Sequence, residues 1–241
     1  MPAPAEEIMP QHWDRTYTEK SVEQFGWYEP DPGPSLALID RCELSEDARI
    51  IDVGAGATLL VDQLLDRGYE ALGVLDISAQ ALSVLRDQLA PERAGRVRWI
   101  NADITDPAVA EQIGPVDLWH DRALLHFLID DGECERYVEA LRATVVPGRH
   151  AVIAAFAVGG AEMCNGLARA QLRSRLLPAA RRRRLRARGV AGLHLPPAVG
   201  RPAPLPLRAL PSPGLTPRRV SAEGPAEPAG PPRRRPERES R

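Results

Sequence analysis

Arg49-Ile-Ile-Asp-Val-Gly-Ala-Gly-Ala-Thr58 decides how the rest of the chain is read. Ile50, Ile51 and Val53 form an apolar strand that runs into a turn with glycines at 54 and 56. Without a Cβ, a glycine lets the backbone bend sharply and lets a flat, ribose-bearing ligand come close. Twenty residues past Gly56, Asp76 closes a second apolar strand in Leu72-Gly-Val-Leu-Asp-Ile77. An acidic side chain at the end of a strand beside such a turn is placed to accept hydrogen bonds from two ribose hydroxyls. A dinucleotide fingerprint would need a third glycine where Leu59 stands, so the turn does not suit a pyrophosphate or an NAD-dependent oxidoreductase.

Outward from this turn, strand and helix alternate. Strands are predicted at 49–53, 71–75, 96–100, 116–119 and 151–156, with helices at 58–67, 79–89 and 133–144 between them. Ser78 is the expected N-cap of the second helix. Alternation of this kind predicts an α/β fold, a doubly wound parallel sheet whose ligands bind beyond the carboxyl ends of the strands. Asp52, Asp76, Asp103 and Asp121 all fall at those ends. His120 and His126 follow the fourth strand, and an isolated histidine there is more often structural than a base.

Five of the eleven aromatic residues lie ahead of the first strand: Trp13, Tyr17, Phe25, Trp27 and Tyr28. Trp13 and Tyr17 share one face of a helix, which suits either core packing or a lid over the pocket. A short helical stretch is expected at 34–39.

The 241 residues carry a net charge of -2 that conceals a division. From Ala168 onward there are 18 arginines against 4 glutamates, so the first 167 residues sum to -16. Past Asn165 there are 14 prolines, an Arg181–Arg184 run, and no Phe, Trp, Tyr, Ile, Asp or Lys. Such a composition buries too little apolar surface to offset the entropy of ordering, so disorder is expected, apart from a helical stretch near 168–188. A basic tail could attract nucleic acid through counterion release, the less favoured of its readings. Three widely spaced cysteines, Cys42, Cys134 and Cys164, support neither a disulfide framework nor a zinc site. They and the absence of a long apolar run lead to the expectation of a soluble, cytoplasmic protein with no bound metal and no membrane partner.

Taken together, the Trp13-Asp-x-x-Tyr17 start, the later Trp27, the Asp52-Val-Gly-Ala-Gly56 loop and the Asp121-Arg122 pair resemble class I S-adenosylmethionine-dependent methyltransferases. Within them the chain is similar to a branch holding protein-lysine methyltransferases and bacterial enzymes of unassigned substrate. The resemblance covers 10–167 and implies a Rossmann-like sheet in the order 3-2-1-4-5, with S-adenosylmethionine as cofactor. It implies Gly54 and Gly56 under the methionine part and Asp52 orienting that loop and the amino end. It gives Asp76 to the ribose, Ile77 and Ile104 to the adenine, and Asp103 to the adenine amino group. Trp13, Tyr17 and Trp27 would close the pocket, and Asp121 or Arg122 would border it beside the acceptor, a small molecule or a protein side chain. No catalytic residue is demanded, because the sulfonium already activates the methyl carbon.

The expected division is a lid at 1–44, a cofactor-binding core at 45–167 and an Arg/Pro-rich tail at 168–241. Relatives continue past the fifth strand with a helix and an antiparallel strand pair, and 168–241 offers no segment with a strand pattern. An Arg/Pro/Ala/Gly-rich run is what a GC-rich gene yields when read out of frame. Read from the second base of each codon, 168–176 permits the Pro-Val-x-x-Tyr-[Asp/Glu]-Ala block that relatives carry, and 198–201 permits Pro-Trp-Gly. A frameshifted C-terminus would leave the fifth strand as an unpaired sheet edge and impair the enzyme; the rival reading is a cofactor-binding protein without turnover.

Overall fold

The computed structural model describes residues 5–155 and, beyond them, the backbone of 163–164, 167–168 and 207–211. Five parallel strands form the centre: β1 (Arg49–Val53), β2 (Ala71–Asp76), β3 (Val97–Asn101), β4 (Val116–Arg122) and β5 (Val145–Ala154). Their order is β3-β2-β1-β4-β5, as the alternation of strand and helix and the resemblance imply. The helices are α1 (Ala5–Glu19), α2 (Gly33–Asp40), α3 (Leu60–Asp66), α4 (Ala79–Gln88), α5 (Pro91–Ala94), α6 (Val109–Ile113) and α7 (Asp131–Thr144). Two single 3-10 turns lie at Val22–Gln24 and Leu125–Phe127.

Side-chain alternation along each strand divides the core into two layers. Ile50, Val74, Leu118 and Val152 point to one side, where Leu38, Ile39, Leu60, Leu64 and Leu85 cover them. Their neighbours Ile51, Leu75, Trp119 and Ile153 point to the other, against Val109, Ile113, Tyr137 and Val138. Runs of consecutive apolar residues are what a parallel sheet covered on both faces requires.

Local chemistry sets the helix ends. The Ser78 hydroxyl accepts from the Ala81 N–H at 3.0 Å, capping α4 as expected. Asp130 caps α7 by accepting from the Gly132 and Glu133 N–H groups, with Glu133 reaching back to the Asp130 N–H.

Two expectations are corrected. The fourth strand does not stop at 119 but runs to Arg122, because its last residues pair with β5 as far as Arg122 opposite Ala154. Past β5, where no strand was expected, β8 (Leu207–Pro211) pairs antiparallel along its outer edge, from Ala154 opposite Leu207 to His150 opposite Pro211. A ladder joins main-chain groups, so the open edge of β5 can be satisfied by a segment that side-chain composition does not mark as a strand. The fifth strand is therefore not a bare edge. β6 (Met163–Cys164) and β7 (Leu167–Ala168) form a separate two-stranded ladder. The helical stretch near 168–188, the disorder expected of the tail and the frameshift reading otherwise fall outside the described residues. Among the described residues no helix is long and apolar enough to cross a membrane.

Candidate functional site

The turn after β1 is held against the end of β2. The Gly54 and Ala55 N–H groups both donate to the Leu75 carbonyl, at 2.8 and 3.1 Å, and the Gly56 N–H donates to Asp76 Oδ2 at 2.8 Å. Gly54 and Gly56 have φ of 64° and 55°, a left-handed backbone that side chains disfavour. Space is equally restrictive. A Cβ on Gly54 would lie 2.6 Å from Leu124 Cδ1 and 2.7 Å from its Cβ, and one on Gly56 would overlap the Tyr17 hydroxyl.

Asp76 is almost fully buried, and its second oxygen accepts from the Ser78 N–H at 2.9 Å. Burial pushes its carboxyl up to about 6 against the pull of those two N–H bonds, with the charges of Asp52 and Asp14 adding to the rise. The Ser78 hydroxyl in turn donates to Asp14 Oδ1 at 2.6 Å, and the same oxygen accepts from the Gln80 N–H at 3.1 Å. Asp14 thus latches α1 to the start of α4, beside Asp76. Asp103 is held by the Thr105 N–H and hydroxyl, both on its Oδ1, at 2.7 and 2.8 Å. Asn101 donates to the carbonyls of Asp76 and Ile77 at 3.0 Å each, tying the ends of β2 and β3 together.

These strand ends form the floor of a cleft of about 750 Å³, open mouth included, in which Gly54, Asp76, Ile77, Asp103 and Ile104 meet. Trp13, Tyr17 and Trp27 stand over it, and Phe127 and Leu128 make a wall that the sequence reading missed. The aromatic residues support one another. Trp13 meets Trp27 and Phe127 edge-on with centroids 5.7 and 5.0 Å apart, and Phe25 stacks on Trp27 at 4.6 Å. Ala123 lines the cleft at φ 75°, a strained conformation for a residue with a Cβ. A second hollow of about 390 Å³ adjoins the cleft, sharing Tyr17, Trp27 and Gly54 with it and lined by Gly56, Glu29 and Arg122 besides.

Two of the anticipated residues sit elsewhere. Asp52, opposite His120 in the β1–β4 pairing, turns into the α2 side of the sheet, 3% exposed. There His120 Nδ1 lies 2.7 Å from Asp52 Oδ1, and Nε2 lies 3.0 Å from the Ser35 hydroxyl. With Asp52 ionised and the ring neutral, Nδ1–H donates to the carboxylate and Nε2 accepts from Ser35. Asp121, one residue on, points through the opposite face. Its carboxylate accepts from the Tyr137 hydroxyl at 2.7 Å and the Leu124 N–H at 3.0 Å. Burial lifts it to about 6 as well, and neither aspartate lines the cleft. The longer β4 explains Asp121: in a strand, alternation sends it into the core while Arg122 returns to the hollow.

A family model described as a methyltransferase domain matches residues 50–148. Residues 50–148 form a methyltransferase domain. The domain's fold is that of class I S-adenosylmethionine-dependent methyltransferases. A solved S-adenosylmethionine-dependent methyltransferase from Anabaena variabilis superposes with a TM-score of 0.65 at 15% identity, over 88% of this chain and 96% of that one. Among curated proteins, the magnesium-protoporphyrin O-methyltransferase of Rhodobacter capsulatus is 36% identical over 63 residues, 26% of this chain and 28% of that protein. The eEF1A lysine and N-terminal methyltransferase of Bos taurus is 24% identical over 163 residues, 67% of this chain and 22% of its own length. The chain thus spans less than a third of either curated relative. The methyltransferase domain has the chemistry its cofactor calls for: a mainly apolar cleft, one carboxylate at its floor, and a glycine turn with no phosphate-binding third glycine.

Proposed function

We propose that the chain binds S-adenosylmethionine in the aromatic-roofed cleft and catalyses transfer of its methyl group to a small-molecule or protein acceptor. The single observation that carries this is the convergence of Asp76, Gly54 and Gly56 on one cleft beneath Trp13, Tyr17 and Trp27. Asp76 accepts the ribose hydroxyls on the oxygens already steadied by the Gly56 and Ser78 N–H groups. Ile77 and Ile104 flank the adenine, and Asp103 takes its amino group. When bound, the cofactor supplies a sulfonium-activated methyl carbon for in-line displacement. The chain's task is then to align donor and acceptor and to exclude water, which the roof of Trp13, Tyr17 and Trp27 suits. Asp52 and Asp121 act beneath this layer, holding the glycine turn and the end of β4, with Arg122 at the border nearer the acceptor.

The division into a lid at 1–44, a core at 45–167 and a tail at 168–241 belongs to the same reading, as does placement in the cytoplasm. Both acceptor classes have support among the relatives, one named for a porphyrin and the other for a protein lysine and N-terminus. The tail's composition supports a frameshift origin and an enzyme weakened on its acceptor side.

Calorimetric titration of the full chain with S-adenosylhomocysteine, the demethylated product, tests the reading. Micromolar binding is expected, lost in Asp76→Ala; a folded wild type that binds none rejects it.

A further inference from the structure

The second hollow has a composition of its own. Val22, Phe25 and Trp27 give it apolar walls and the turn at 54–58 gives it backbone, while Glu29 and Arg122 are the only charged residues on its lining. These two form an ion pair, Arg122 Nε to Glu29 Oε2 at 3.0 Å, with side chains only 20% and 15% exposed. Arg122 Nη2 also donates to the Trp27 carbonyl at 3.0 Å. The bonds described engage one carboxylate oxygen and two guanidinium nitrogens, so each partner retains capacity for a ligand.

A half-buried ion pair in an apolar hollow is an expensive way to hold a loop. Well-packed apolar residues of the same volume commonly do as well or better, because desolvation offsets most of the attraction. Burial opposes the charge on both partners, raising the Glu29 carboxyl and lowering the Arg122 guanidinium, so the pair is under strain that a doubly charged ligand would relieve. The hollow also lies next to the ribose carboxylate: Gly56, which lines it, donates its N–H to Asp76.

We infer that Glu29 and Arg122 form the subsite for the amino-acid end of the cofactor. Arg122 receives the α-carboxylate and Glu29 the α-ammonium group. This assignment rests on the cofactor reading above and replaces Asp52 as holder of the amino end, since Asp52 is committed to His120 beneath the turn. A zwitterion exchanges one ion pair for two without leaving either side chain uncompensated, and its two charges fix which way round the ligand lies.

The test compares ligands on the full-length chain by calorimetry. S-adenosylhomocysteine carries the zwitterion; 5′-methylthioadenosine keeps the adenosine and thioether but lacks the amino acid. The wild type should bind 5′-methylthioadenosine about 10- to 100-fold more weakly, the size of a lost charge-assisted contact. Glu29→Gln and Arg122→Lys should each weaken S-adenosylhomocysteine by about tenfold or more while changing 5′-methylthioadenosine less than about threefold. Equal loss of both ligands in the variants would make the pair a strut for the lid and overturn the assignment. So would a wild type that does not distinguish the two ligands, a comparison that needs no variant to fold. If the folded wild type binds neither, the cofactor reading itself fails and this assignment with it.

Discussion

Acidification should weaken binding of S-adenosylhomocysteine through one group, Asp76. Burial holds its carboxyl up at about 6 in the ligand-free protein, although two N–H groups favour the ionised form. Ribose hydroxyls donate to a carboxylate but meet a donor in the protonated acid, so the ligand lowers this pKa. The sign follows: binding releases a proton, and affinity is lost as pH falls through about 6. At about pH 7.5 nearly all of Asp76 is ionised and the effect is negligible; at about pH 5 roughly one molecule in eleven is, so Kd should rise by about tenfold, or about 1.4 kcal/mol. Calorimetry gives this Kd series directly. Repeating the titration near pH 6 in buffers of different ionisation enthalpy should count about half a proton released per ligand. Asp76→Asn should bind more weakly and lose the dependence. Asp121, also raised to about 6, does not line the cleft and engages Tyr137 and Leu124 instead. A wild type whose affinity changes less than about twofold over this range while folded, or an Asp76→Asn variant that keeps the slope, refutes the reasoning.

The glycines of the turn should fail differently. Gly54→Ala drives a Cβ onto Leu124 near its own backbone, where nothing gives easily, and should cost about 2–4 kcal/mol in urea denaturation. Gly56→Ala meets the Tyr17 hydroxyl while the ring carbon behind it lies 3.5 Å away, so Tyr17→Phe should restore part of the lost stability and affinity in the double variant. His120→Ala would leave Asp52 and Ser35 buried without their partner and should lower unfolding free energy by about 3–5 kcal/mol. Asp14→Ala removes the acceptor that latches α1 to Ser78 and Gln80; a loss of about 1 kcal/mol in thermal melts is expected, with faster release of S-adenosylhomocysteine in stopped-flow tryptophan fluorescence.

How much of this was legible beforehand depended on how local the signal was. The neighbours Ile50 and Ile51, or Leu118 and Trp119, spell a strand buried on both faces, and the glycine turn with Asp76 twenty residues on spells its ligand side; both patterns are written in short stretches. Trp13, Tyr17 and Trp27 were readable as a lid because aromatic residues gathered ahead of the first strand. What failed depended on a strand's length or on a partner distant in sequence. Ending β4 at 119 made Asp121 a loop residue at the pocket; three more residues of strand reverse its direction and deliver it to Tyr137. The Asp52–His120–Ser35 chain and the Glu29–Arg122 pair join residues 68, 85 and 93 positions apart, separations with no periodic signature.

The same distinction explains why the acidic residues were harder to place than the apolar ones. An apolar side chain needs only an apolar side of the sheet, and period two supplies it. A buried carboxylate needs particular donors, and which donors it meets decides its role. Asp52, Asp76, Asp103 and Asp121 were alike in sequence, each at a strand end. In the fold, Asp52 is committed to a histidine and Asp121 to a tyrosine, whereas Asp76 and Asp103 are steadied by neighbouring N–H or hydroxyl groups and still line the cleft. Short-range donors at the start of the next turn are what leave a strand-end aspartate able to face a ligand. Ser78 and Thr105, two residues past Asp76 and Asp103, were the sequence signs that separated the two pocket carboxylates from the two that serve the core.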